Sequence, residues 1–111
     1  MPTAKRIQSI TVKRVDDEFP DTSYLTQEGF EDRYAQYQND LFGFIGIRAE
    51  AKIVIGDTCQ TIKSMGLSGI ESDSDEDYLK EIEQEELASL RSILYEMGFS
   101  KRAIATAVKG V

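Results

Sequence analysis

The chain has 111 residues, 41% of them hydrophobic and 30% charged, with a formal net charge of −7, one cysteine and neither histidine nor tryptophan. That length suits one domain, 1–111, burying roughly 65% of its unfolded surface. The composition excludes wholesale disorder, and no apolar run approaches the roughly 20 residues that span a bilayer. The lone Cys59 cannot build a disulfide framework, which points to the cytoplasm, or a host cytoplasm if the protein is phage-encoded. Without histidine, a phosphate-cradling glycine loop or a ligand cluster, the expectation is no enzyme, no catalytic residues, no cofactor and no metal.

Charge is arranged in blocks. Residues 1–15 carry +4, residues 16–40 carry −7, residues 41–70 carry +1, residues 71–99 carry −8 and residues 100–111 carry +3. Two acidic blocks between basic ends argue against direct nucleic-acid binding, which needs a basic face to neutralise phosphates. They also argue against anionic membrane surfaces.

In chain order, Gln8 to Val15 alternates, with Ile10 and Val12 on one side and Ser9, Thr11 and Lys13 on the other, which predicts a half-buried strand. Residues 16–43 form an aromatic-rich insertion. Within it Phe30, Tyr34, Tyr37 and Leu41 fall on one helical face, predicting a helix over 27–40. Phe44 to Ile55 alternates more strictly. Ile45, Ile47, Ala49, Ala51, Ile53 and Ile55 point one way, while Gly46, Arg48, Glu50, Lys52 and Val54 point the other. Gly56-Asp57-Thr58 then turns the chain into a third strand, Cys59 to Met65. Gly66 and Gly69 loosen the exit from that strand.

A long helix is predicted over 74–97, capped by Ser72, Asp73 or Ser74 and ended at Gly98. A short helix or tail follows over 100–111. Leu79, Ile82, Leu90, Ile93, Leu94 and Met97 share an arc of about 120° on the long helix. Glu86 falls inside that arc, so it should snorkel, pair with a cation such as Arg48 or Lys52, or be held there for function.

Residues 71–86 hold nine carboxylates against one lysine. Asp73, Asp75 and Asp77 have the spacing of a calcium loop, but Tyr78 stands where the glycine is needed and Gln84 where the bidentate glutamate belongs. The helix macrodipole favours two or three acids in a first turn. It does not explain Glu81, Glu83 and Glu85 further in, where like charges four apart repel.

The stretch from Gly46-Ile47-Arg48-Ala49-Glu50-Ala51 through Gly69-Ile70-Glu71-Ser72-Asp73-Ser74-Asp75 to Tyr78-Leu79 and Glu85-Glu86-Leu87 resembles small acidic accessory proteins of phages and mobile elements. The resemblance covers about half the chain and carries no catalytic signature. It implies an accessory role, and an anti-defence one of the anti-CRISPR kind by analogy.

The sequence thus predicts an α+β fold: a three-stranded antiparallel sheet packed against one long C-terminal helix, with a partly helical insertion after the first strand. The expected function is protein binding. Asp75, Glu76, Asp77, Glu81, Glu83 and Glu85 would meet a basic surface of a host protein, such as a Cas effector or nuclease, with Tyr34 and Tyr37 as anchors. The competing expectation is a homo-oligomeric assembly subunit joined through the aromatic segment or a sheet edge.

Overall fold

A computed structural model describes residues 5–109. The elements are β1 (Lys5–Asp16), a 3-10 turn (Ser23–Thr26), α1 (Glu31–Gln38), β2 (Phe44–Ile55), β3 (Thr58–Lys63), β4 (Leu67–Glu71), α2 (Glu76–Glu96) and α3 (Lys101–Val108). The fold is α+β with an antiparallel sheet, as its alternating strands predict. Two details of the expectation are corrected. The sheet has four strands, and the long helix is followed by α3, so it is not the C-terminal element.

The sheet is built on β2. β1 pairs along its whole length on one side, from Lys5 opposite Ile55 to Asp16 opposite Ile45. The other side of β2 is shared end to end: β3 pairs with Glu50–Ile55 and β4 with Phe44–Ile47. The third strand, expected over Cys59 to Met65, is Thr58–Lys63. The strand in fact breaks at Ser64 and resumes at Leu67, because the intervening Gly66 adopts φ +80°, a conformation costly for any residue with a Cβ.

Three apolar clusters lie in a row along β2. The first joins Ala49, Ala51 and Ile53 to Ile10 of β1, Leu87, Leu90 and Leu94 of α2, Phe99, and Ile104 of α3. Ala49 and Ala51 are completely buried, and their small side chains let the leucines of α2 come close. The second joins Ile47 and Ile70 to Leu79 and Ile82. The third packs Leu25 and Phe42 on Phe44. Phe44 and Ile45 are consecutive strand residues, so their side chains leave opposite faces of the sheet. The insertion therefore covers the face away from α2, at one end only. Stringing the clusters in line makes the molecule long: it measures 63 × 25 × 20 Å, with a radius of gyration of 17.9 Å against about 13 Å for a compact chain of this size.

Helix boundaries shift for physical reasons. α2 starts at Glu76 because Asp75 is its cap, accepting from the Asp77 backbone N–H at 3.2 Å. α1 spans only Glu31–Gln38, and Asp40 at φ 58° turns the chain away. Leu41, expected on the aromatic helical face, is consequently exposed, and Phe42 fills the core in its place. On α2, Leu87 is buried although it lies outside the predicted arc, since Phe99 and, on α3, Ile104 join the same cluster and add a second wall beside the sheet. Met97 is half-buried at the edge of the same cluster, and Ile93 is half-buried outside it.

Glu86 does face the sheet, but among the described residues no cation meets it. Its Oε1 accepts from the Ser64 hydroxyl at 2.8 Å and from the Gly66 backbone N–H at 2.7 Å. Ser64 in turn exchanges two bonds with Ala49: its N–H donates to the Ala49 carbonyl, and its Oγ accepts from the Ala49 N–H, each at 2.9 Å. The carboxylate thus occupies the break between β3 and β4. Glu86→Ala strands the Ser64 hydroxyl and the Gly66 N–H in a half-buried site, at about 1–3 kcal/mol for each group left unsatisfied. Glu86→Gln, which retains an acceptor oxygen, should cost less. Urea unfolding of the two variants measures the difference.

Candidate functional site

The acidic run divides into carboxylates that are occupied and carboxylates that are free. Arg33, on α1, is held by Glu71 at 2.6 Å and by Asp73, and its guanidinium lies 3.6 Å from the centre of the Phe42 ring. Tyr24 donates its hydroxyl to Glu71. Burial, then this bond, push the Tyr24 phenol up to about 12. Arg14, on β1, binds Glu76 at 2.6 Å and Glu83 at 2.8 Å. Hydrogen bonds from these arginines hold the Asp73 and Glu76 carboxyls below the usual range. Asp75 caps α2, and Glu86 fills the strand break.

Asp77, Glu81 and Glu85 make no ion pair among the described residues, and all three are exposed. Spaced four apart, they form one stripe along the outer side of α2. Of the eight residues that the sequence marks for partner binding, the structure therefore brings Asp77, Glu81 and Glu85 together. It places Glu76 and Glu83 in the Arg14 pair and Asp75 at the cap. Tyr34 and Tyr37 are half-buried against Leu25, Phe42 and Phe44, with Tyr37 and Phe44 ring centres 5.4 Å apart.

Sequence reasoning missed an apolar group beside the stripe. Tyr78 is half-exposed and shares a groove with Leu67 of β4. Met65, two residues before Leu67, is fully exposed. Tyr78 stands among the acids, where its position in the sequence counts only against a calcium loop. Leu67 could be found only by recognising the fourth strand.

The opposite face of the sheet carries the other sign. Residues alternating with the buried Ala49, Ala51 and Ile53 are Arg48, Glu50, Lys52 and Val54, and the register sets Lys13 opposite Arg48 and Lys63 opposite Glu50. Glu50 is only 6% exposed. Lys13 lies 2.9 Å from it, Arg48 2.8 Å and Lys63 3.9 Å. The Lys13 hydrogen bond, seconded by that from Arg48, outweighs burial and holds the Glu50 carboxyl below the usual glutamate range. The block charges had implied basic ends and no basic face. The sheet makes one by bringing cations from β1, β2 and β3 into register.

Among the described residues, no cluster of three or more histidine, cysteine or carboxylate side chains could hold a metal ion, and no helix is long and apolar enough to cross a membrane. No family model, curated protein or solved structure matches the chain.

Glu50 sets an acid limit on stability. Its carboxyl titrates lower in the folded state than in the unfolded chain, so its stabilisation is complete above the unfolded value near pH 4.5 and is lost as pH falls through the folded value. Asp73 and Glu76 act with the same sign. Melting temperature should therefore drop on acidification below about pH 5, and Glu50→Gln should flatten that acid arm in a series of thermal melts.

Proposed function

We propose that the protein is a non-enzymatic binding module that presents the Asp77, Glu81 and Glu85 stripe to a basic surface on a partner protein. One observation carries this reading. Six of the nine carboxylates in 71–86 have structural work in caps, ion pairs or the strand break, and the three left over align on one exposed side of a rigid helix. Unpaired like charges four apart cost α2 a few tenths of a kcal/mol, a loss that an opposing cationic surface would reverse. Tyr78 and Leu67 supply apolar contact beside the charges, as an interface core requires.

A cationic surface that accepts a row of carboxylates is what a nucleic-acid-handling protein offers to phosphates. With the resemblance to phage and mobile-element accessory proteins, this favours an anti-defence inhibitor occupying the phosphate-binding groove of a host nuclease or Cas effector. A second reading has its own support: among the described residues β1, β3 and β4 pair with β2 and with no other strand, so a second copy could add a strand at an outer edge. The aromatic segment offers less to such a contact, because most of its rings pack on one another.

Replacing Asp77, Glu81 and Glu85 together with lysine should slow association with such a basic partner by at least about tenfold and flatten its salt dependence. The melting temperature should hold or fall slightly, since lysines four apart repel as carboxylates do and a cation at position 77 opposes the helix dipole. Surface plasmon resonance over a salt series reads the rates, and an unchanged association rate removes the proposal. Sedimentation at tens of micromolar decides the second reading, which a monomer excludes.

A further inference from the structure

The insertion covers the second face of the sheet only around Phe44, and beyond Glu50 that face is open. Lys13, Arg48, Lys52 and Lys63 stand on it against the single carboxylate of Glu50. We propose that this face binds the phosphate backbone of a nucleic-acid duplex without reading its bases. The inference goes beyond the module proposed above and uses none of its residues.

Three features select this occupant. The first is charge: one buried carboxylate holds three cations and cannot neutralise them all, while Lys52 is exposed and has no ion-pair partner among the described residues. Glu50 also fixes the Lys13 and Arg48 heads in place, so less side-chain freedom is lost when phosphates arrive. The second is the absence of anchors. Between the cations the register puts Thr11 and Thr61, whose hydroxyls suit phosphate oxygens. A protein partner needs a buried apolar or aromatic core, and a membrane surface needs apolar side chains to insert; the centre of this face offers neither. The third separates duplex from single strand. Single-strand binding depends on aromatic platforms for unpaired bases, and among the described residues the only aromatic residue on a strand is Phe44, which is buried. A duplex stacks its bases internally and presents phosphates.

Cys59 supplies a reporter. It is the only cysteine of the chain, it is exposed, and it pairs with Val54, which puts it on this face. The test is fluorescence anisotropy with a labelled duplex of about 20 base pairs, titrated with the full chain from roughly 50 to 200 mM salt. Binding should weaken with a log–log slope of about −3.6 if four phosphates are neutralised. Lys52→Glu with Lys63→Glu should lower affinity at least about tenfold, with some loss of melting temperature because a carboxylate at position 63 faces Glu50. Lys52→Glu alone, which leaves every contact of Glu50 intact, should lower it by a smaller factor. Duplex should slow alkylation of Cys59. The triple lysine variant at Asp77, Glu81 and Glu85 should bind duplex at least as well as the parent, so failure of either proposal leaves the other standing. The inference is overturned by no binding at the lowest salt, by equal binding of the Lys52→Glu variants, or by an unprotected Cys59. It is equally overturned if polyglutamate or anionic vesicles bind this face and duplex does not.

Discussion

The hydrogen bonds of Glu86 to Ser64 and Gly66 hold together the parts of this fold that have least else in common. At this point the edge of the sheet changes from β3 to β4, and a strand break leaves backbone and hydroxyl donors with no neighbouring strand to receive them. A carboxylate from α2 receives two of them on one oxygen. The same contact sets the axial position of α2. Leu79 and Ile82 then fall on the Ile47 cluster, while Leu87, Leu90 and Leu94 fall on the Ala49–Ile53 cluster. A helix that slid by one turn would lose both clusters and leave Glu86 buried without partners.

Glu86 and Glu50 are satisfied differently. Glu86 takes neutral donors, which stabilise its charge without bringing in an opposite one. Glu50, on the other face, takes three cations. The choice has a consequence for the whole surface. Neutral donors leave the α2 side strongly negative, whereas three cations around one anion leave the open sheet face positive. A chain of net charge −7 is therefore polar through its thickness, with carboxylates outside the helix and ammonium and guanidinium groups behind the sheet.

The ion pairs of Arg14 and Arg33 join the layers by the same economy. Each arginine meets two carboxylates from the acidic run. Arg33 ties α1 to the end of β4, and Arg14 ties β1 to the first turns of α2. These pairs are half-exposed and add little stability singly. Their larger effect is to decide which acids remain available, and that leaves Asp77, Glu81 and Glu85.

The local periods of the sequence were sufficient for much of this. Alternation in Phe44–Ile55 specifies a strand with a core face, and the spacing of Leu79, Ile82, Leu90 and Leu94 specifies the helix that covers it, because side-chain direction follows from backbone geometry alone. Gly98 ends α2 at φ +99°, as a glycine after the last turn should. Glu86 could be placed facing the sheet for the same reason. What the sequence could not supply was anything that depends on which strand lies beside which. The break at Gly66, the fourth strand, the partners of Glu86 and the burial of Phe42 in place of Leu41 all arise from contacts between residues distant in the chain. The charged faces belong to the same class. A charge sum along the chain weights neighbours in sequence, whereas Lys13, Arg48 and Lys63 are neighbours only through strand register, and Glu76 and Glu83 lose their freedom only because β1 carries Arg14 past them. Composition and periodicity determined that this is a sheet with an acidic helix laid across it; tertiary structure alone decided which charges cancel and which are left facing outward, since an ion pair is set by distance in space.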